Sequence, residues 1–542
     1  MICSSCKYAP IELMAGFDEK VERLDPAPAA FTCAEGCTHP NMCSYAKAVI
    51  EEVYDKNIKE LILTDCCDAM RRAYDAMLME GKIDFLYLLP IPHKSSPVEI
   101  RMFAKSLKEL AETFEKYSGR QFEVNKSVEA YRMQMSESRQ VEGNHITVTG
   151  AHGGKQLIDY VQSVFPDVQI KDDTCSGNRH LYKEPGDADD FFNWYADALM
   201  NQEKSCMRML DATENIDSDD GRIGTIFHTI KFCDYYGFEY MMTENRDRTL
   251  KVETDTPGQS TGQLSTRLEA FREELGMEKK TNEILNGRYV AGIDSGSTST
   301  DVVIMDSSTN IITSVIISTA AGSENSSKKA LDEALEKAHL DRNDIARIVT
   351  TGYGRGNIKA SDEAVTEITC HAKGAHFLYP EARTVIDIGG QDSKVIIIDS
   401  DGKVFNFVMN DKCAAGTGRF LENSAKVFGY DMAQMSAEGL KWKKDLTITS
   451  MCTVFAESEV VSLIADNTPT ADIIHGLNKS IAKRTASLVM RLKGSGPYIM
   501  TGGVARNAGV VKCLEEELHD RIYVSEDAQI CGAIGACLSA FS

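Results

Sequence analysis

Asp294-Ser-Gly-Ser-Thr-Ser-Thr-Asp301 joins two apolar runs, Tyr289–Asp294 and Asp301–Asp306, through a turn of small and hydroxylic residues. Closely spaced β-branched runs of this kind predict strand, turn, strand. In such a turn Gly296 lets the backbone approach a phosphate closely. The hydroxyls of Ser297 and Thr298, with neighbouring N–H groups such as that of Ser295, can donate to its oxygens. Asp294 is placed to hold Mg2+, directly or through water. Outward from this turn, a third strand is expected at Ile311–Ser318, a helix at Ser326–His339 and a strand at Ile345–Thr350. The same opening then returns at Thr384–Ile388, Lys394–Asp399 and Val404–Asn410, with Asp387-Ile-Gly-Gly-Gln-Asp-Ser-Lys394 as its turn. Gly389 and Gly390 repeat the close approach, and Asp387, Gln391 or Asp392 could position metal or water. A third turn, Met500-Thr-Gly-Gly-Val-Ala-Arg-Asn507, follows an apolar strand and opens a helix. Gly502 and Gly503 would let an adenosine approach the backbone, with Asn507 beside them. Singly, each turn is also an ordinary hairpin or strand–helix connection; together they predict a duplicated fold with a phosphate-binding cleft between two lobes.

The chain has 542 residues, more than one hydrophobic core usually serves. It is 43% hydrophobic and 26% charged, an ordinary globular balance. Lys and Arg number 59 against 81 Asp and Glu, a net charge of −22, which argues against nucleic acid or an anionic membrane as partner. No apolar stretch approaches the roughly 20 residues that span a bilayer. The opening MICSSCKYAPIELMAGF lacks a charged region before its apolar residues, so no secretory signal is expected. Sixteen cysteines in a large chain without an export signal point to metal ligation or thiol chemistry in the cytoplasm rather than to disulfides. Only 11 histidines accompany them, which favours sulfur ligation.

The cysteines divide the chain. Ten precede residue 234: Cys3, Cys6, Cys33, Cys37, Cys43, Cys66, Cys67, Cys175, Cys206 and Cys233. The polar segment Gly276–Arg288 is the expected boundary, giving domains at 1–278 and 288–542. In the first half, strands are expected at Leu61–Asp65, Phe85–Leu89, Ile146–Gly150, Gly224–His228 and Leu250–Thr254. Helical patterns lie between them at Ser44–Tyr54, Val98–Tyr117 and Gln156–Val164. That alternation predicts α/β architecture with parallel sheets covered by helices.

In order and spacing, the three glycine turns resemble the nucleotide-binding signature of the acetate and sugar kinase, Hsc70 and actin superfamily. The resemblance covers essentially all of the second half. It implies a two-lobed, ribonuclease-H-like ATPase binding Mg-ATP. Thr351-Gly-Tyr-Gly-Arg355 and Glu367-Ile-Thr-Cys-His-Ala-Lys-Gly374 sharpen it. Cys413 lies in Asn410-Asp-Lys-Cys-Ala-Ala-Gly-Thr-Gly-Arg-Phe-Leu-Glu422 and Cys452 in Cys452-Thr-Val-Phe-Ala-Glu-Ser-Glu459, each just ahead of a helical pattern. A helix N-terminus stabilises a thiolate and an anionic cluster. Two cysteines are too few for a cubane, which needs about four ligands, but a twofold dimer would supply the other pair. These contexts resemble the activators of 2-hydroxyacyl-CoA dehydratases and the related benzoyl-CoA reductase ATPases (BadF/BadG/BcrA/BcrD type). The resemblance implies a homodimer sharing one [4Fe-4S] cluster through Cys413 and Cys452. Cys370, Cys513, Cys531 and Cys537 read as core residues.

In the first half, Cys33 and Cys37 are followed by Leu63-Thr-Asp-Cys-Cys-Asp-Ala-Met-Arg-Arg72, Asp173-Thr-Cys-Ser-Gly-Asn-Arg179, Ser205-Cys-Met and Ile230-Lys-Phe-Cys-Asp-Tyr-Tyr236. Several of these cysteines follow expected strands, where open α/β sheets build sites. With Tyr8-Ala-Pro-Ile-Glu-Leu13 and Val252-Glu-Thr-Asp255, these contexts resemble the D-component of 2-hydroxyglutaryl-CoA dehydratase and the related double-cubane cluster proteins. That implies a second Fe–S cluster, [4Fe-4S] or [8Fe-9S], with Cys33, Cys37, Cys66 or Cys67, and Cys233 as first candidates and Cys206 and Cys175 behind them. Cys43, Cys3 and Cys6 read as structural, the last two near a mobile terminus. Zinc competes only at the Cys33/Cys37 pair.

Joined, the halves imply ATP-driven electron transfer in an anaerobic cytoplasm. The donor would be a reduced ferredoxin or flavodoxin and the acceptor the first-half cluster or a separate dehydratase or double-cubane protein. Asp294, Asp387 and Gln391 would serve hydrolysis. A small-molecule kinase and a nucleotide-switched Fe–S scaffold are the competing readings.

Overall fold

A computed structural model describes residues 2–28, 30–39, 41–136, 143–210, 221–243, 248–254, 261–277, 289–319, 322–410, 417–448 and 453–541. The chain divides into two compact units, Met1–Leu275 and Gly276–Ser542. Among the described residues no helix is long and apolar enough to cross a membrane. Of the expected boundary segment, residues 278–288 lie outside the described residues, as do Cys413 and Cys452.

The first unit holds two four-stranded parallel sheets. One orders its strands β2-β1-β3-β4, with β1 Ile2–Ser4, β2 Val21–Arg23, β3 Glu60–Thr64 and β4 Phe85–Leu89. The other runs β6-β5-β7-β8, with β5 His145–Gly150, β6 Gln169–Thr174, β7 Arg222–Ile230 and β8 Thr249–Thr254. The five expected strands are present; β1, β2 and β6 are additional. The mobile N-terminus expected from sequence is instead an inner strand with Ile2, Cys3 and Ser4 buried. Two neighbours pair with β1 on both sides and supply what three residues of weak strand propensity do not. β6 reads Gln-Ile-Lys-Asp-Asp-Thr and sits at a sheet edge, where charge is tolerated.

The helix Pro97–Ser118 illustrates how local signals and burial agree. Pro97 occupies its first turn, and Gly119 ends it at φ +70°. Phe103, Leu107, Leu110 and Phe114 recur every three or four residues and are buried, with Phe114 edge-on to Phe17 and Phe85. The same core holds a buried ion pair between two stretches singled out in the sequence. Arg179 Nη2 lies 2.8 Å from Glu12 Oε2, and the Tyr195 hydroxyl donates to the same oxygen at 2.6 Å.

The second unit repeats one arrangement twice. Its first sheet is β11-β10-β9-β12-β13, with β9 Tyr289–Ser295, β10 Ser299–Asp306, β11 Ile311–Ser318, β12 Ile345–Thr351 and β13 Glu363–Ala364. The second is β16-β15-β14-β17-β18, with β14 Thr384–Ile388, β15 Ser393–Ile398, β16 Val404–Asn410, β17 Tyr498–Thr501 and β18 Ile522–Val524. In each, three strands run antiparallel and the fourth joins the first in parallel. Two helices cross between the lobes. Glu367–Leu378 leaves the first sheet and lies on the second, while Cys531–Ser539 follows the second and lies on the first. They meet backbone to backbone. A Cβ on Gly374 would fall 2.1 Å from the Cys531 carbonyl oxygen, and one on Gly535 would fall 1.8 Å from that of Cys370. Cys370, Cys531 and Cys537 are fully buried here and Cys513 nearly so, as core residues should be.

Candidate functional site

The two strand–turn–strand openings face each other across a cleft of about 600 Å3. It is lined by Asp294, Gly296, Ser297 and Thr298 from one lobe, and by Asp387, Gly389, Gly390, Gln391, Asp392, Gly502, Gly503 and Asn507 from the other. Ser295 is buried just behind. Small residues let these turns close in: a Cβ on Gly390 would lie 2.4 Å from the Thr298 methyl, and one on Gly502 2.7 Å from Asp387 Oδ1. Gly502 also holds φ +82°, which favours glycine. The Thr351–Arg355 stretch backs the first turn. The Gly354 N–H donates to the Ser295 carbonyl at 3.0 Å, and a Cβ on Gly352 would strike Asp294 Oδ1. At the third turn Asn507 accepts from the N–H groups of Gly509 and Val510 and so caps the helix Ala508–Leu518.

Three buried polar atoms at this cleft have no partner among the described residues: Ser295 Oγ, Asp301 Oδ1 and Asn507 Nδ2. Buried polar groups are normally satisfied, so a polar ligand is the natural complement. Carboxylates dominate the floor. Burial pushes Asp294 up to about 7, with His371 opposing, and does the same to Asp301. Burial also works to raise Asp387, yet His371 and the Lys394 ammonium hold it below the usual carboxylate range. Lys394 Nζ lies 3.2 Å from Asp387 Oδ2, 2.9 Å from Asp392 Oδ1 and 3.5 Å from Glu367 Oε2. Glu367, His371 and Lys394 were not among the expected site residues. Their signal was present: Lys394 ends the Asp387–Lys394 turn, and Glu367 and His371 stand one helical turn apart in the Glu367–Gly374 stretch.

In the first unit, thiols gather at the carboxyl ends of the strands. Each sheet reverses its winding between two central strands, β1 and β3 in one, β5 and β7 in the other. Cys6 follows β1, Cys66 and Cys67 follow β3, His152 follows β5, Cys175 follows β6 and Cys233 follows β7. Cys43 precedes the helix Ser44–Asp55, and Cys206 follows the helix Phe191–Met200. These seven thiols interact. Cys66 hydrogen-bonds both Cys6 and Cys67, drawing Cys6 down to about 5 and Cys67 to about 7 while its own thiol rises. Cys206 does the same for Cys175. Burial raises Cys233 to about 12 and lifts Cys43, and both feel the charge of Cys67. His152 stacks on Tyr45 at 3.7 Å, and burial pushes it down to about 4. The Tyr236 hydroxyl lies 3.8 Å from Cys206 Sγ. Such a sulfur-dominated donor set suits an iron–sulfur cluster better than a hard cation.

Two first-choice cysteines are elsewhere. Cys33 and Cys37 belong to the short helix Thr32–Cys37, beside Tyr54, Asn57 and Lys59 at the amino end of β3. That is the far end of the Ser44–Asp55 helix from Cys43, about 18 Å along a 12-residue axis. The ligand atoms of Cys33, Glu51 and Asp55 lie within 4.8 Å of one another. Glu51 is already engaged there, accepting from the N–H groups of Cys33 and Ala34. Conversely Cys6 and Cys43, expected to be structural, join the thiol basin. Strand ends, not pair spacing, decide which thiols meet.

The cleft and its paired sheets are those of a two-lobed ATPase of the actin and sugar-kinase type. The chain belongs to the BadF/BadG/BcrA/BcrD ATPase family, whose sequence model matches residues 291–540. Ahead of it, residues 6–141 and 123–275 match the 2-hydroxyglutaryl-CoA dehydratase D-component. The chain is 44% identical over 253 residues to the 2-hydroxyisocaproyl-CoA dehydratase activator of Clostridioides difficile, covering 47% of this chain and 95% of that protein. It is 42% identical over 254 residues to the (R)-2-hydroxyglutaryl-CoA dehydratase activating ATPase of Acidaminococcus fermentans, covering 47% of this chain and 97% of that one. A solved structure of the Clostridium difficile activator with bound ADPNP matches with TM-score 0.46 at 43% identity, over 47% of this chain and 94% of that one.

Proposed function

We propose that this protein couples ATP hydrolysis to low-potential electron transfer, moving electrons from a reduced ferredoxin or flavodoxin toward iron–sulfur in its own first unit or in a partner dehydratase or reductase. The observation that carries this reading is the gathering of Cys6, Cys43, Cys66, Cys67, Cys175, Cys206 and Cys233 in a chain whose other half belongs to a dehydratase-activating ATPase family. A generic kinase has no use for such a basin.

In the cleft, the backbone at Gly296, Gly389 and Gly390 and the hydroxyls of Ser297 and Thr298 cradle the phosphates, and Gly502 and Gly503 admit the adenosine. Asp294 would hold Mg2+, which would neutralise phosphate charge, and Asp387 or Gln391 would orient the attacking water. Cys413 and Cys452, with those of a second copy, would hold the shared [4Fe-4S] cluster. Hydrolysis would reset the angle between the two lobes. The basin thiols would hold the second cluster, [4Fe-4S] or [8Fe-9S]. Bound iron–sulfur supplies one-electron chemistry at low potential.

The test is anaerobic. Purified protein is given a reductant with and without Mg-ATP, and both clusters are followed by EPR. Reduction of first-unit iron only with Mg-ATP is the expected result. Steady ATP turnover with no ATP-dependent change at that iron would sink the intramolecular route.

A further inference from the structure

We propose that His371 is a strut across the lobe seam, coupling the acidic ends of the two phosphate turns to one another. It is a positioning residue for nucleotide turnover, and the inference rests on the ATPase reading above.

The base of the strut is rigid. His371 lies between Cys370 and Gly374 on the Glu367–Leu378 helix, the two positions where that helix touches the Cys531–Ser539 helix backbone to backbone. Its own carbonyl accepts the Cys531 thiol at 3.6 Å. The residue therefore cannot shift without both crossing helices. The tip reaches both lobes. Nε2 lies 3.8 Å from Asp294 Oδ2 at the end of β9, and Nδ1 lies 3.4 Å from Asp387 Oδ1 at the end of β14. Nδ1 is also 3.4 Å from the Thr501 hydroxyl, which itself donates to Asp387 Oδ1 at 3.0 Å. Lys394 takes the other Asp387 oxygen, so each oxygen of that carboxylate has an assigned partner.

Space has been kept for this contact. A Cβ on Gly532 would lie 2.1 Å from Asp294 Oδ2 and 3.1 Å from His371 Nε2, and one on Gly502 would press on Asp387 from the other side. A planar ring with a nitrogen on each edge can meet two carboxylates at once, which few side chains can do. Both approaches are long for hydrogen bonds, as catalytic contacts often are before a ligand tightens them. When the lobes close on Mg-ATP, the two contacts shorten together; when they open, both loosen. His371 thereby ties the Asp294 side of the cleft to the Asp387 side.

The variants are His371→Phe, which keeps the ring and loses both nitrogens, His371→Gln, which keeps a donor, and Gly532→Ala, which wedges the opposite side of the contact. Each is read for kcat and KM with Mg-ATP, for melting temperature, and for the ratio of Mg-ADP to Mg-AMPPNP affinity by calorimetry. For His371→Phe, kcat should fall by about 10–100-fold with KM held within about threefold. The affinity ratio should move toward one, because the lobes no longer distinguish the two nucleotides. His371→Gln should recover part of both, and Gly532→Ala should reproduce the loss. An unchanged kcat and ratio in His371→Phe would overturn the proposal. So would a fall in melting temperature with binding and turnover lost together, the mark of a purely structural residue. Wild-type protein that binds both nucleotides differently yet hydrolyses nothing would refute the ATPase reading, and the affinity ratio of His371→Phe, unchanged or moved toward one, would then decide the strut alone.

Discussion

The two units build their sites in opposite ways. In the second, each turn of the cleft is a contiguous stretch of about eight residues carrying its glycines, hydroxyls and carboxylate together, as Asp294–Asp301 does. In the first, seven thiols arrive from separate loops, at most two from any one of them. A contiguous site is set by local conformation. A distributed one exists only when two sheets have formed and their strand ends converge. The first should therefore survive changes elsewhere in its lobe, and the second should depend on single members and on the packing beneath.

The largest expected effect follows from that dependence. Cys67→Ser and Cys6→Ser should each strip most of the iron proposed for the first unit, while Cys33→Ser should strip none; iron and sulfide per chain decide it. Iron lost with Cys33 and kept without Cys67 would return the ligand set to the Thr32–Cys37 helix. Next comes the packing beneath the basin. Arg179→Ala leaves the Glu12 carboxylate buried without its cation and should cost about 3–5 kcal/mol in a denaturation transition of the first unit, with ATP hydrolysis kept. A matching fall in ATP hydrolysis would break the contrast between the units.

The smallest effect sharpens the electrostatics of the cleft. Burial raises Asp301 from 3.8 to about 7, so the folded state holds its proton more firmly than the unfolded chain. That contribution is fully present below about 4 and is lost as pH rises through 7. Asp301→Asn should therefore gain stability over wild type as pH rises from 4 to 8, by up to roughly 3–4 kcal/mol. Melting curves across that range, flat in their difference, would show that Asp301 is charged at no cost.

What could be read in the sequence tracks the same contrast. The repeated strand–turn–strand opening was legible because its chemistry is local: Gly296, Gly390 and Gly502 stand where the backbone must come close, and the structure leaves no room for a Cβ at them. The parallel sheets of the first unit were legible in part. β3 and β4 announce themselves by apolar runs, but β1 and β6 do not, since one is three residues long and the other mostly polar. That gap hid Cys6, which looked like part of a loose terminus and is in fact anchored four residues after residue 2 by an inner strand. Cys33 and Cys37 lie apart from the basin for the converse reason. Their spacing is suggestive, but spacing does not say which end of a sheet a helix faces.

His371 shows the same limit at finer scale. Its stretch was visible, yet nothing local says that one imidazole will meet carboxylates almost a hundred residues apart in the chain. The amino-acid order by itself determined the duplicated lobes, the glycine turns between their strands and the number of thiols available, because these follow from backbone permissiveness and side-chain chemistry within a few residues. Tertiary structure alone decided which thiols gather and which ring spans the seam, because those depend on where separate strands and helices end in space.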